Sequence, residues 1–92
     1  MKDVLMFYLD DCGYCRKAFQ ALDELYAENP AYRAIPFEKI EESRDPATAD
    51  RYDYYAVPTF YVGGEKRFEA RIGMTYAMIR DAVKSVLDAA LV

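Results

Sequence analysis

The chain has 92 residues, enough for one small domain, and its 53% of apolar residues argues against disorder. Its net charge is −4 and it has no basic run, so we expect neither a nucleic acid nor an anionic membrane surface as a partner. No apolar stretch is long enough to span a bilayer. The N-terminus lacks a signal-peptide pattern, and we therefore expect a single cytoplasmic domain over residues 1–92.

The first predicted element is a strand over Asp3–Leu9, an almost continuously apolar run. Such a run is typical of a central strand that is covered on both faces. The motif Cys12-Gly13-Tyr14-Cys15 follows, with the only two cysteines of the chain, and a helical pattern then runs from about Tyr14 to Glu28. A Cys-x-x-Cys motif between a strand and a helix is typical of a redox pair.

The position of this motif also favours reactivity. The first turn of a helix has backbone N–H groups without partners and partial positive charge from the helix dipole, and both stabilise a thiolate. The thiolate is the reactive form of cysteine. Neighbouring charges are mixed: Asp10 and Asp11 oppose a negative sulfur at Cys12, whereas Arg16 and Lys17 favour it. Either aspartate is also a candidate N-cap of the helix.

Three other interpretations of the cysteine pair are weaker. A zinc site usually needs four ligands, and this chain offers two cysteines and no histidine. A structural disulfide across two residues would constrain the unfolded chain very little. A pair of inert core cysteines would have to fall at a helix start by chance. We therefore expect no metal site, and a redox pair at Cys12 and Cys15.

The middle of the chain predicts a parallel strand and a short helix. Asn29-Pro30 ends the first helix, because proline cannot continue a helix and disfavours helical geometry before it. Ile35–Ile40 is a predicted strand, which should pair in parallel with the first strand through a right-handed crossover. Pro46–Tyr52 is a predicted short helix with proline at its start.

The end of the chain predicts a hairpin and a helix. Strands over Thr59–Val62 and Lys66–Ile72 flank Gly63-Gly64, and the alternation of the second strand predicts one buried face. That buried face comprises Phe68, Ala70 and Ile72. Thr75 is a candidate N-cap of a helix whose apolar face runs from Tyr76 to Ala90. The order β-α-β-α-β-β-α predicts an α/β fold, with helices on both faces of a four-stranded mixed sheet.

The residues carry a resemblance to the thioredoxin superfamily, in its short glutaredoxin-like form. Gly13 resembles the residue that thioredoxins have after the first cysteine, and Tyr14 the one that dithiol glutaredoxins have before the second. The spacing from Lys39 to Thr59, which includes Val57-Pro58-Thr59, is similar to that of thioredoxins. The ending from Gly63 to the last helix is also similar to theirs.

This resemblance implies roles for the central residues. Cys12 would attack a substrate disulfide, and Cys15 would resolve the mixed disulfide. Val57-Pro58 would be joined by a cis peptide bond facing the cysteines, and the Val57 backbone would pair with a bound peptide or glutathione. The resemblance also implies three further substrate-binding residues, Tyr14, Gly73 and Thr75. It implies three residues that modulate the cysteines, Gly13, Asp11 and Lys39.

The departures from the two families are also informative. A thioredoxin's buried Asp would fall at Met6, and the Asp of a glutaredoxin's glutathione pocket is missing near Gly73. Lys39 matches a thioredoxin lysine that would tune Cys15, or it is a surface lysine whose stem lies on apolar residues.

Three tyrosines precede Val57. We expect the first, Tyr52, in the core, while the next two, at positions 54 and 55, are either core residues or a docking rim.

The sequence thus favours a monomeric thiol–disulfide oxidoreductase that reduces protein or small-molecule disulfides. We expect no tightly bound cofactor, with reducing equivalents from a thioredoxin reductase or from glutathione. One alternative is a glutathione-dependent glutaredoxin dimer that bridges an iron–sulfur cluster, because cysteine thiolates suit such clusters. Another is a non-catalytic docking module on the same fold.

Overall fold

A computed structural model describes the whole chain, residues 1–92. Seven helices and strands follow one another as β1 (Val4–Tyr8), α1 (Gly13–Glu28), β2 (Phe37–Glu41), α2 (Pro46–Ala49), β3 (Thr59–Val62), β4 (Glu65–Glu69) and α3 (Tyr76–Leu91). This is the predicted order. A 3₁₀ turn at Pro30–Ala34 was not predicted, and it delays the start of β2 by two residues relative to the expected strand.

The four strands form one mixed sheet in the order β2-β1-β3-β4. β1 pairs with β2 in parallel and with β3 in antiparallel fashion, so the most apolar strand is central, as its sequence predicts. β3 and β4 form the predicted hairpin. Its turn requires positive φ at Gly63 and Gly64, a conformation that glycine adopts without steric cost.

The first face of the sheet is covered by α1 and α3. Its core is a cluster of 17 buried residues, almost all of them aliphatic or aromatic. The predicted apolar faces of both helices supply this cluster, with Leu22 and Leu25 from α1 and Ile79 and Leu87 from α3. The hydroxyl of Thr75 accepts the Met78 N–H at 3.2 Å, which confirms the predicted N-cap of α3.

The second face is covered by α2 and by the segment 50–58. Only three of its residues form a buried cluster, Phe7, Ile40 and Tyr61. Tyr52 and Tyr54 pack on Phe7 with ring centroids 5.0 and 4.8 Å away, so the cover on this face is largely aromatic. Tyr52 therefore packs against the core, as expected.

One predicted core position was wrong. Ile72 is 97% exposed, because β4 ends at Glu69 and the chain turns at Gly73, where φ is +92°. Ala70 is buried and Phe68 is half-buried, as the alternation predicts. No helix in the protein combines the length and the apolar character that crossing a membrane needs.

Candidate active site

Cys12 occupies the N-cap of α1, a position for which Asp10 or Asp11 was the expected residue. Its backbone is extended, and its Sγ accepts the Cys15 N–H at 3.1 Å. A backbone donor aimed at the sulfur stabilises a negative charge there. Asp10 instead pairs with Arg44, and Asp11 is exposed. The expectation of an aspartate cap is therefore corrected, because the thiol itself makes the capping bond.

Cys15 lies one helical turn further on and is buried, with 1% of its surface exposed. Burial, the hydrogen bond with Cys12 and the charges of Cys12 and Glu42 outweigh the opposing hydrogen bond from the Leu9 backbone, and together they raise the pKa of its thiol to about 12. Cys15 is therefore a neutral thiol near pH 7. Both cysteines are free, so the pair is in its dithiol form.

The peptide bond between Val57 and Pro58 is cis, as the resemblance implies. The Cys12 thiol lies 3.7 Å from the Val57 carbonyl oxygen, so this backbone directly faces the cysteine pair. Pro58 itself is almost fully buried. The structure thus brings together residues that are 45 positions apart in the sequence.

Tyr14 and Gly73 also meet at the site. The Tyr14 hydroxyl accepts the Gly73 N–H at 2.7 Å, and the Lys17 ammonium lies 5.5 Å from the centre of the Tyr14 ring. This hydrogen bond joins the start of α1 to the turn before α3. Tyr14 is half-buried against the larger core, so only part of its ring is open to solvent.

The same fold occurs in solved structures of thioredoxins. A mutant thioredoxin from Halobacterium salinarum matches 94% of this chain and 74% of its own, with 23% identity and a TM-score of 0.58. A thioredoxin from Fasciola hepatica matches 91% of this chain and 79% of its own, with 24% identity and a TM-score of 0.59. This chain has the thioredoxin fold.

Human ERp44, in its zinc-bound form, is a further structural neighbour of this thioredoxin fold. It matches 91% of this chain but only 26% of its own, with 20% identity and a TM-score of 0.57. No protein-family model matches the sequence, and no curated protein matches it either. The solved structures therefore show the fold, and in this chain the Cys12–Cys15 pair stands at the start of its first helix.

The remaining predicted residues lie at varied distances from the chemistry. Gly13 is the first residue of α1 and is exposed. Thr75 uses its hydroxyl to cap α3, so that oxygen already has a partner. Lys39 is exposed on β2, with its ammonium 5.5 Å from the ring centre of Phe19 and 5.8 Å from that of Phe37. This arrangement matches the surface alternative for Lys39.

Two carboxylates near the site were not anticipated from the sequence. Glu69 accepts the backbone N–H groups of Tyr55 and Ala56 and pairs with Lys66 at 2.9 Å, which fixes the segment that leads to Val57. Glu42 accepts the Tyr54 hydroxyl at 2.9 Å. The alternation of β4 predicted that Glu69 faces solvent, so nothing in the sequence indicated that it lies near Val57. For Glu42, the only available signal was its position directly after β2, near the expected sheet edge.

The chemistry available at this site is that of two thiols beside a backbone carbonyl. No group of three or more His, Cys, Asp or Glu side chains is arranged to hold a metal ion. Met6, which was predicted to stand at the position of a thioredoxin's buried Asp, is fully buried in the apolar core. Position 6 therefore supplies no titratable group near the cysteine pair.

Proposed function

We propose that this protein is a dithiol–disulfide oxidoreductase that reduces disulfides of proteins or small molecules. The observation that carries the proposal is the asymmetry of the two thiols. Cys12 is partly exposed at a helix N-terminus, with a backbone N–H donor on its sulfur, while Cys15 is buried one turn behind it. The likeness of the fold to two thioredoxins supports the same proposal.

The reaction proceeds in two thiol–disulfide exchanges. The Cys12 thiolate attacks one sulfur of the substrate disulfide, forms a mixed disulfide and releases the other substrate sulfur as a thiolate, which takes up a proton. Cys15 then loses its proton and attacks the Cys12 sulfur, releasing the second substrate thiol. The substrate gains two electrons and two protons, and the Cys12–Cys15 disulfide remains.

The neighbouring backbone would hold the substrate during this exchange. The Val57 carbonyl faces Cys12, so an extended substrate segment could pair with Val57 as an added strand. Gly73 and Tyr14 would flank the other side, where their mutual hydrogen bond fixes the turn. Thr75 would contribute by holding the start of α3 rather than by a free hydroxyl.

Turnover requires an external reductant for the Cys12–Cys15 disulfide. We propose either a thioredoxin reductase or glutathione, with the protein acting as a monomer in a reducing compartment such as the cytoplasm, where lone cysteine pairs are more often catalytic than structural. Asp11 stands exposed beside the motif and would repel the carboxylates of glutathione, whereas the charge of Asp10 is compensated by Arg44. We therefore favour the reductase as the electron donor.

The test is insulin reduction coupled to NADPH consumption, with thioredoxin reductase in one set of reactions and glutathione with its reductase in the other. We expect activity with thioredoxin reductase, and no activity above the uncatalysed rate in Cys12→Ser. Activity only with glutathione would overturn the choice of donor. Equal rates for wild type and Cys12→Ser would overturn the function itself.

A further inference from the structure

A cleft opens on the second face of the sheet, beside the segment that leads to Val57. Its volume is about 270 Å³. The lining combines carboxylates, tyrosines and one small residue, namely Glu42, Ala49, Asp50, Tyr52, Tyr54 and Tyr55. Glu42 contributes to the raised pKa of Cys15 through its charge, but none of these residues contacts either thiol in the reaction described above.

The two carboxylates of the cleft have no cationic partner within the protein. Neither Glu42 nor Asp50 belongs to any of the protein's ion pairs. Two nearby cations are engaged elsewhere: Arg44 pairs with Asp10, and Lys66 pairs with Glu69. Glu42 does accept the Tyr54 hydroxyl, a neutral donor that leaves its negative charge in place. Arg51 is exposed between two lining residues but does not itself line the cleft, so the lining carries two negative charges and no positive one.

The rings of two tyrosines of the cleft, and the backbone of the third, are held in place before any ligand arrives. The rings of Tyr52 and Tyr54 pack on Phe7, and the Tyr55 N–H is bound by the Glu69 carboxylate. Tyr55 as a residue is nevertheless 94% exposed, so a fixed backbone presents its side chain to solvent. Aromatic faces attract cations, and carboxylates beside them add to that attraction.

The cleft also lies within reach of a bound substrate. Tyr55 and Tyr54 precede Val57 by two and three residues, and an extended chain advances at most about 3.6 Å per residue, which places them within roughly 7 to 11 Å of it. An extended substrate paired with Val57 would run beside this segment. A long side chain a few residues from the substrate cysteine could therefore enter the cleft.

We propose that this cleft receives the lysine or arginine side chain of a protein substrate, two or three residues from the cysteine that Cys12 attacks. The cation would lie between the Glu42 and Asp50 carboxylates and against the Tyr55 ring. This inference rests on the proposed function, because it names the substrate class of the same site. It predicts that disulfides flanked by basic residues are the preferred substrates.

The first test compares two disulfide-linked peptide dimers that differ in one respect. One has lysine at the second and third positions on each side of the cysteine, and the other has norleucine there. From the strengths of exposed cation–π and ion pairs, we expect about five- to tenfold higher kcat/KM for the lysine peptide, and a smaller ratio in 1 M NaCl. A ratio of one, or a preference for a third peptide with glutamate at these positions, would overturn the proposal.

A matched pair of double variants identifies the cleft as the cause of the preference. Glu42→Gln with Asp50→Asn should reduce the lysine-to-norleucine ratio to below about two. Asp23→Asn with Asp81→Asn removes the same charge from exposed positions on α1 and α3 and should keep the ratio of the wild type. Equal ratios in the two double variants would show that only net charge matters, and the cleft would not be the site.

A binding measurement separates failure of the cleft from failure of the enzyme. The same peptides with serine in place of cysteine are titrated into the protein, and the amide NMR shifts of residues 42–57 are followed. Tighter binding of the lysine peptide, lost in Glu42→Gln with Asp50→Asn, supports the cleft even if neither disulfide is reduced. Equal affinity for the lysine and norleucine peptides overturns the cleft whatever the activity is.

Discussion

The two faces of the sheet are stabilised in different ways. The first face buries 17 residues beneath the long helices α1 and α3, and its cohesion is mainly apolar. The second face buries three, and its cover depends on side-chain hydrogen bonds. Tyr61 donates to the Asp53 carbonyl at 2.7 Å, Tyr54 donates to Glu42, and Glu69 accepts the Tyr55 and Ala56 N–H groups.

This difference separates stability from site geometry. Apolar burial is strong but has no direction, whereas hydrogen bonds fix orientation at a modest net gain in free energy. The first face can therefore supply most of the folding free energy. The second face holds Val57 opposite Cys12 and keeps the cleft open. These tasks need the directional hydrogen bonds of that face more than they need buried apolar area.

The largest expected effect is on the free energy of unfolding, when one isoleucine on each face of the sheet is truncated to alanine. Ile79, on the buried face of α3, is fully buried, and Ile40, on β2, is 8% exposed in the smaller cluster. We expect Ile79→Ala to lower the free energy of unfolding by about 4 kcal/mol and Ile40→Ala by about 2 kcal/mol. Urea denaturation followed by circular dichroism measures both. A larger loss for Ile40→Ala would reverse the comparison.

A smaller effect is expected from the anchor of the Val57 segment. Glu69→Gln keeps one acceptor oxygen but loses the charge that binds two N–H groups and Lys66. We expect a loss of about 1–2 kcal/mol in unfolding free energy, together with faster amide hydrogen exchange at positions 55 and 56. The exposed substitution Glu65→Gln, in the same strand, is the matched control. Unchanged exchange in Glu69→Gln would show that the carboxylate does not hold the segment.

The smallest effect is a dependence on pH. Burial opposes ionisation of Glu69, but hydrogen bonds from Lys66, Tyr55 and Ala56 outweigh it and hold the pKa of this carboxyl below its ordinary value of 4.5. Its stabilising contribution is therefore complete above about pH 4.5 and is lost as the pH falls through the lowered pKa. The stability difference between wild type and Glu69→Gln should shrink from pH 7 to pH 3. A difference that stayed constant would contradict this origin.

The sequence predicted the features that depend on local periodicity and short motifs. The order of elements, the apolar faces of α1 and α3, and the Cys12–Cys15 pair all follow from spacing alone. The cis bond before Pro58 required the family resemblance as well. Local spacing carries this information because helices and strands repeat every 3.6 and 2 residues.

The sequence could not predict features that depend on where a strand stops or on distant partners. Ile72 continues the alternation of β4, but the strand ends at Glu69 and leaves it exposed. Glu69 meets Tyr55 across 14 positions, and the Tyr14 hydroxyl meets Gly73 across 59. Periodicity has no information on such pairs, since they form only when the hairpin and helices pack together.

The most direct test of the central claim is to trap the mixed disulfide. Cys15→Ser and Cys12→Ser are each incubated with a small aromatic disulfide at pH 7, and the intact mass of the protein is measured. We expect Cys15→Ser to gain the mass of one substrate thiol at Cys12 within minutes, while Cys12→Ser stays unmodified because Cys15 is buried and protonated. Equal modification of both variants, or of Cys12→Ser alone, would contradict the assignment of Cys12 as the attacking thiol and Cys15 as the resolving one.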